Sequence, residues 1–125
     1  MAQSHNPGFL KIATDAKNAV VECSVADVKA RLDSGENLHF IDVREESEFA
    51  ADHAQGSVHL SKGIIERDIE TRVPDHDAAI VLYCGGGYRS ALAAVNLKAM
   101  GYTHVMSMDG GIRAWREANL PLTKG

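Results

Sequence analysis

The segment 79–83 (AIVLY) is apolar at every position and lies between the polar run 75–77 and a glycine-rich stretch. A strand buried on one face alternates apolar and polar side chains, whereas a continuously apolar strand is typical of burial on both faces. Strands of that kind occur in parallel sheets that have helices on either side. This segment therefore favours an α/β architecture with 79–83 near the centre of the sheet.

The remainder of the chain alternates short apolar runs with segments of helical spacing, which is the pattern of a parallel sheet. The other predicted strands are 20–23, 38–43, 58–60 and 104–108. Helices are predicted from Ser24, as an N-cap, over the periodic Val25, Val28 and Leu32, and also around 45–49, 64–72, 90–100 and Trp115. From this alternation we expect an α/β domain of three layers, in which a mostly parallel sheet of about five strands has helices on both faces.

Length and composition indicate one globular domain over 1–125, with a core of about 21–121 and an N-terminal extension, 1–20, in which a helix is predicted. A net charge of -4 without a basic patch argues against a nucleic-acid partner. No apolar run approaches the roughly 20 residues needed to span a bilayer, so no membrane association is expected. The first residues lack the features of a secretory signal, which predicts a cytoplasmic protein. A disulfide between Cys23 and Cys84 is therefore not expected.

The loop after the central strand carries the residues best suited to chemistry. In order they are Cys84, Gly85, Gly86, Gly87, Tyr88, Arg89 and Ser90. Sites in parallel sheets form beyond the carboxyl ends of the strands. Three glycines allow several amide groups to converge, the start of the next helix adds unsatisfied N–H groups, and Arg89 adds a cation. Each feature favours negative charge at the Cys84 sulfur, which predicts a reactive thiolate.

Two other interpretations of this loop remain open. A cysteine after an apolar strand is also typical of a small buried core residue. A glycine-rich turn is also typical of a phosphate cradle, although the chain lacks both the P-loop ending and the spaced dinucleotide fingerprint. Cys23, which follows a short strand without a glycine loop, is predicted to be a core thiol.

Three motifs, in order, resemble the rhodanese family and together span most of the chain. The first comprises 41–45 with 48–49, His53, Gly56 and 59–60, the second is 83–90 (YCGGGYRS), and the third is 108–112 (MDGGI) with 114–115. Three ordered matches are more specific than any one of them. The resemblance implies a sulfurtransferase without cofactor or metal, in which Cys84 carries sulfur as a persulfide. It further implies a small anionic donor such as thiosulfate, and cyanide, a thiol or a protein as the acceptor.

The resemblance also implies roles for the surrounding residues. The loop amides from Gly85 to Ser90 would hold the sulfur, and Arg89 would help to bind an anionic donor. Asp42 and Arg44 would support the site from the end of a neighbouring strand. The residues themselves leave a second interpretation of this pair, in which Asp42 caps the next helix and Arg44 makes a surface ion pair.

Other functions of the same fold remain open. These are a protein-to-protein sulfur carrier, a phosphatase and a non-catalytic regulatory domain. By the same resemblance, a phosphatase branch of the fold has a larger loop between its cysteine and arginine. In this chain only four residues separate Cys84 from Arg89. The smaller loop suits a single sulfur atom better than a phosphate group. The presence of Cys84 argues against the regulatory domain. Tyr88 is interpreted as narrowing the mouth of the site, as a surface for a partner's thiol, or as packing on a helix.

Two further groups of polar residues are weighed as sites. The six histidines show no zinc-ligand spacing, so no metal site is expected. Glu45, Glu46 and Glu48 fall in the first turn of a predicted helix, where acidic residues are favoured by the helix dipole. They are interpreted as a solvated face in preference to a pair of catalytic carboxylates.

Overall fold

A computed structural model describes residues 5–125; residues 1–4 of the expected N-terminal extension lie outside the described residues. The helices are α1 (Pro7–Ala19), α2 (Val25–Asp33), α3 (Glu46–Ala51), α4 (Ile65–Arg72), α5 (Tyr88–Ala99) and α6 (Gly111–Glu117). The strands are β1 (Val21–Cys23), β2 (His39–Asp42), β3 (His53–Ala54), β4 (Val58–His59), β5 (Ile80–Tyr83), β6 (Val105–Met108) and β7 (Leu122–Thr123).

Five strands form one parallel sheet in the order β1-β6-β5-β2-β4. The apolar strand β5 is the central one, and all four of its residues are buried. The prediction of a mostly parallel sheet of about five strands, with 79–83 near its centre, is confirmed. The carboxyl ends of β5, β2 and β6 meet at one edge, where the candidate loop begins.

The core lies on both faces of this sheet because side chains alternate along each strand. Ile80, Leu82 and Cys84 face a cluster that includes residues of α4 and α5. Val81 and Tyr83 face the opposite cluster, which includes Val28 of α2 and the fully buried Trp115 of α6. The three-layer arrangement with helices on both faces is therefore confirmed, and the Cys84 side chain belongs to the α5 side.

The N-terminal helix α1 packs along α5, with Ala13 and Ala16 buried. Pro7 stands in its first turn, where a missing N–H group costs nothing. The sequence predicts a helix here but does not predict where it packs. Among residues 5–125, no helix is long and apolar enough to cross a membrane.

Two details differ from the sequence-based expectation. A small antiparallel pair, β3 with β7, was not predicted, because strands of two residues leave no detectable alternation. Helix α5 begins at Tyr88, two residues before the predicted start. Its N-cap is Gly87, whose φ of 100° lies in the left-handed region that favours glycine. Tyr88, Arg89 and Ser90 consequently form the first turn of a helix.

Candidate active site

The sulfur of Cys84 lies at the point where β5 ends and α5 begins. Its side chain is only 1% exposed. The Gly87 N–H donates to Sγ at 3.1 Å and the Ser90 N–H donates at 3.4 Å. Amide donors favour the charged form of an acceptor. The N-cap and first turn of α5 therefore direct two amide N–H groups at the sulfur.

Of the six loop residues predicted to hold the sulfur, Gly87 and Ser90 supply the donors seen within residues 5–125. The other four take different positions. Gly85, Gly86, Tyr88 and Arg89 line the cavity above the sulfur. The residues that line the cavity are thus different from those that donate hydrogen bonds to the sulfur, although all belong to one short segment.

A pair of buried hydroxyl groups extends the cradle below the sulfur. Ser90 Oγ lies 3.5 Å from Cys84 Sγ and 2.8 Å from the Oγ of Ser107, a buried residue of β6. A thiolate only accepts hydrogen bonds, so beside a thiolate the Ser90 hydroxyl donates to sulfur and Ser107 donates to Ser90. Sequence reasoning missed Ser107, because a lone serine in a strand carries no signal.

The loop backbone is held from the other side by the start of α6. The Ile112 N–H donates to the Cys84 carbonyl at 2.9 Å, and the Arg113 N–H donates to the Gly85 carbonyl at 3.1 Å. Gly111 makes this approach feasible. A Cβ atom on Gly111 would collide with the Cys84 carbonyl oxygen and lie 2.8 Å from the Gly85 carbonyl group. Gly111 of the third motif therefore allows close packing against the second motif.

An open cavity of about 400 Å³ lies over the sulfur. Its lining comprises His5, Phe9, Glu48, Cys84, Gly85, Gly86, Tyr88, Arg89 and Arg113. One wall is aromatic. The Tyr88 ring lies edge-on to His5, with centroids 4.7 Å apart, and 6.2 Å from the Phe9 centroid. Tyr88 thus packs on α1 and also borders the mouth, which combines two of its predicted interpretations.

Arg89 is engaged by a carboxylate that the sequence did not assign to the site. Its Nη1 and Nη2 donate to the two oxygens of Glu48 at 2.8 and 3.2 Å. The hydrogen bond from Arg89 lowers the pKa of Glu48 from 4.5 to about 2. The interpretation of Glu48 as part of a solvated face is wrong. Arg89 was expected to offer a cation to an anionic donor, and the structure shows its charge shared with Glu48.

Glu48→Gln tests this ion pair through pH. The folded-state pKa of Glu48 is depressed, so its contribution is present above the unfolded value of about 4.5 and is lost as pH falls toward about 2. Because the side chain is 37% exposed, we expect a loss of only about 1 kcal/mol at pH 7. Chemical denaturation between pH 3 and 7 should show the difference from the unmodified protein shrinking at the acidic end. Glu46→Gln, at an exposed position of the same helix, is the control. A difference that grows on acidification would contradict the assignment.

Asp42 and Arg44 form a buried ion pair at the end of β2. Asp42 is fully buried and Arg44 is 4% exposed. The guanidinium contacts both carboxylate oxygens at 2.8–3.1 Å and donates to the Asp52 carbonyl at 2.6 Å. The alternative in which Asp42 caps the next helix and Arg44 lies on the surface is wrong, since Glu45 caps α3. The pair ties β2 to the turn before β3 and does not line the cavity.

Cys23 lies away from the cavity, at the end of β1. It is half-buried and packs against the cluster on the α2 and α6 face. Burial raises the pKa of its thiol to about 11, so this cysteine is largely un-ionised at neutral pH. The structure agrees with the prediction of a core thiol.

Comparison with known proteins identifies the family of this chain. The model of the rhodanese-like domain matches residues 24–118, about three quarters of the chain. The chain belongs to the rhodanese family. A thiosulfate sulfurtransferase, GlpE of Vibrio cholerae, is 31% identical over 114 residues, which are 91% of this chain and 94% of that protein.

Two further comparisons differ in what they describe. The putative sulfur carrier protein YrkF of Bacillus subtilis is 30% identical over 103 residues, 82% of this chain, but the match spans only 55% of YrkF. A solved structure from Rhodopseudomonas palustris, of a protein of unknown function described as a possible tyrosine phosphatase, superposes with a TM-score of 0.82. It is 30% identical and covers 98% of this chain and 99% of that one. Together the family and the sulfur-handling relatives support a sulfurtransferase or sulfur-carrier role.

Proposed function

We propose that this rhodanese is a sulfurtransferase of the thiosulfate type, in which Cys84 carries the transferred sulfur as a persulfide. The observation that carries the proposal is the convergence of the Gly87 and Ser90 amides on Sγ at the floor of an open cavity. A nucleophilic cysteine needs a stabilised thiolate and a path for its substrate. Cys84 has both.

In the first half-reaction the Cys84 thiolate attacks the outer sulfur of thiosulfate. A new S–S bond forms on Cys84, the S–S bond of thiosulfate breaks, and its electron pair leaves with sulfite. The loop amides and the Ser90 hydroxyl are placed to stabilise the charge of the bound sulfur. No net oxidation or reduction takes place, since the sulfane sulfur changes only its partner.

In the second half-reaction the terminal sulfur of the persulfide is attacked by an acceptor. Cyanide would leave as thiocyanate and a thiolate would leave as a new persulfide, and in each case the electron pair returns to Cys84. The protein thus ends the cycle as it began. Residues of the cavity wall, including Tyr88 and Phe9, lie where an acceptor must enter.

Two ion pairs are proposed to act by positioning. Arg89, through its bidentate pair with Glu48, ties the first turn of α5 to α3. The buried pair of Asp42 and Arg44 holds the end of β2 beside the end of β5. Both ion pairs would fix the position of the loop, and neither requires contact with the sulfur donor.

The similarity to YrkF favours a second candidate, a carrier that receives sulfur from a protein and passes it to a protein. Such a carrier shares the Cys84 persulfide and differs in its donor. The possible phosphatase among the solved structures makes aryl phosphate hydrolysis the third activity to assay. The loop, with four residues between Cys84 and Arg89, favours sulfur over a tetrahedral phosphate.

The deciding experiment is the intact mass of the purified protein after incubation with thiosulfate. We expect a gain of one sulfur atom, located on the Cys84 peptide and removed by cyanide. A gain on Cys23 alone would contradict the proposal. If thiosulfate gives no adduct, the same measurement with a cysteine desulfurase and cysteine tests the carrier. An absence of adduct under both conditions, or phosphate release from an aryl phosphate, would reject a sulfur-bearing Cys84.

A further inference from the structure

The cavity over Cys84 is bordered by two arginines in different electrostatic situations. Arg89 belongs to the loop itself, and Arg113 belongs to the first turn of α6. An anionic donor needs a cation that is available to it. The two arginines differ in whether a carboxylate of residues 5–125 is already paired with them.

The guanidinium of Arg89 is already paired with a carboxylate. Both of its terminal nitrogens contact Glu48, whose Oε1 also accepts the Glu45 N–H at 3.0 Å as part of the capping box of α3. An oxyanion that took Glu48's place would have to break two charge-assisted hydrogen bonds. Lys17, whose ammonium lies 5.4 Å from the Tyr88 ring centroid, is likewise paired with Glu22 and Asp109.

Arg113 is in the opposite situation. Its side chain is exposed, and it forms no ion pair with any carboxylate of residues 5–125. Its guanidinium lies against the loop, with both terminal nitrogens 3.8 Å from the position of a Cβ atom on Gly86. The hydrogen bond from its backbone N–H to the Gly85 carbonyl fixes the start of this side chain relative to the loop.

We propose that Arg113 is the residue that recognises the oxyanion end of the sulfur donor. This inference rests on the proposed function and adds the residue that selects the substrate class. The class is a sulfane sulfur bonded to an oxyanion, as in thiosulfate. The planar guanidinium pairs with the oxygens through two parallel hydrogen bonds, while the outer sulfur faces Cys84.

The guanidinium of Arg113 lies beside Gly86 of the loop, at the distance of ordinary van der Waals contact from the position of a Cβ atom there. It also lines the cavity over Cys84. Glu48 and Arg89 also line the cavity, but each offsets the charge of the other. An anion in the cavity is therefore attracted chiefly to Arg113.

The test is Arg113→Gln, read in two ways. For thiosulfate we expect KM to rise about tenfold while kcat changes less than about threefold. For alkylation of Cys84, followed on its peptide, the rate with anionic iodoacetate should fall about five- to tenfold relative to neutral iodoacetamide. Arg113→Lys should restore part of both effects, since it keeps the charge and loses the planar fork. Arg67→Gln, at an exposed arginine of α4, is the matched control and should change neither.

The two alkylating agents separate this inference from the proposed function. Unchanged KM and an unchanged rate ratio in Arg113→Gln would overturn the inference even if thiosulfate is turned over. An equal loss of both alkylation rates would also overturn it, because it would show a distorted loop. A selective loss with iodoacetate supports the anion site even in a protein that forms no persulfide, in which case only the sulfurtransferase proposal fails.

Discussion

The Cys84→Ser variant is expected to lose sulfur transfer by about three orders of magnitude or more and to remain folded. Serine has no sulfur with which to form a persulfide, so the covalent route is removed and not merely slowed. The fold should persist because the serine hydroxyl still accepts hydrogen bonds from the Gly87 and Ser90 amides. The measurement is thiocyanate formation from thiosulfate and cyanide, together with the thermal unfolding midpoint.

The other cysteine provides the matched control for this prediction. Cys23→Ser removes a thiol of the same kind from the opposite face of the sheet, where burial raises its pKa to about 11. We expect its sulfur transfer to stay within about twofold of the unmodified protein. If Cys23→Ser were inactive while Cys84→Ser kept its activity, the assignment of the nucleophile would be reversed.

Gly111→Ala is expected to lower the free energy of unfolding by about 2–4 kcal/mol and sulfur transfer by about 10- to 100-fold. Two causes combine. Gly111 has a φ of 55°, which L side chains rarely adopt, and its Cβ atom would overlap the backbone of Cys84 and Gly85. The loop must move away from α6, and the Gly87 and Ser90 amides move with it. Urea denaturation and steady-state kinetics measure the two effects.

Gly56→Ala separates the two causes. Gly56 has a φ of 91° and nothing within 4 Å of an added Cβ atom, so it carries only the conformational cost. We expect this variant to lose about 1–2 kcal/mol of stability with sulfur transfer unchanged. An equal loss of activity in both variants would show that the effect of Gly111→Ala is general destabilisation and not displacement of the loop.

Much of the fold is predictable from this sequence because its signals are local. The continuous apolar run that became β5 implies burial on both faces, and the intervening helical spacing implies parallel connections. The elements that sequence reasoning misplaced lack such signals. Strands β3 and β7 have two residues each, and the early start of α5 depends on the left-handed conformation of Gly87.

The residues of the candidate site likewise fall into those that the sequence reveals and those that only the structure reveals. The Cys84 loop is visible in the sequence because its cysteine, glycines and arginine are contiguous. Ser107, Glu48, His5 and Phe9 are not visible, since each reaches the site from a distant part of the chain through tertiary packing. Charge is the least predictable property, because the sequence shows that Arg89 is a cation but not that Glu48 is its partner. Arg113 lies between matched positions of the third motif without being one of them, and only the structure shows that it lines the cavity.

The aromatic wall has a consequence for how proteins with this loop can diverge. Phe9 and His5 border the mouth of the cavity, yet both precede residues 24–118, the part that matches the family model. Part of the border of the cavity therefore lies outside the stretch that carries Cys84 and its loop. Under the proposed function, we expect substitutions at His5 and Phe9 to alter which acceptors reach Cys84 while every residue of the three motifs stays the same. Two chains with identical loops would then differ in the acceptor that they serve.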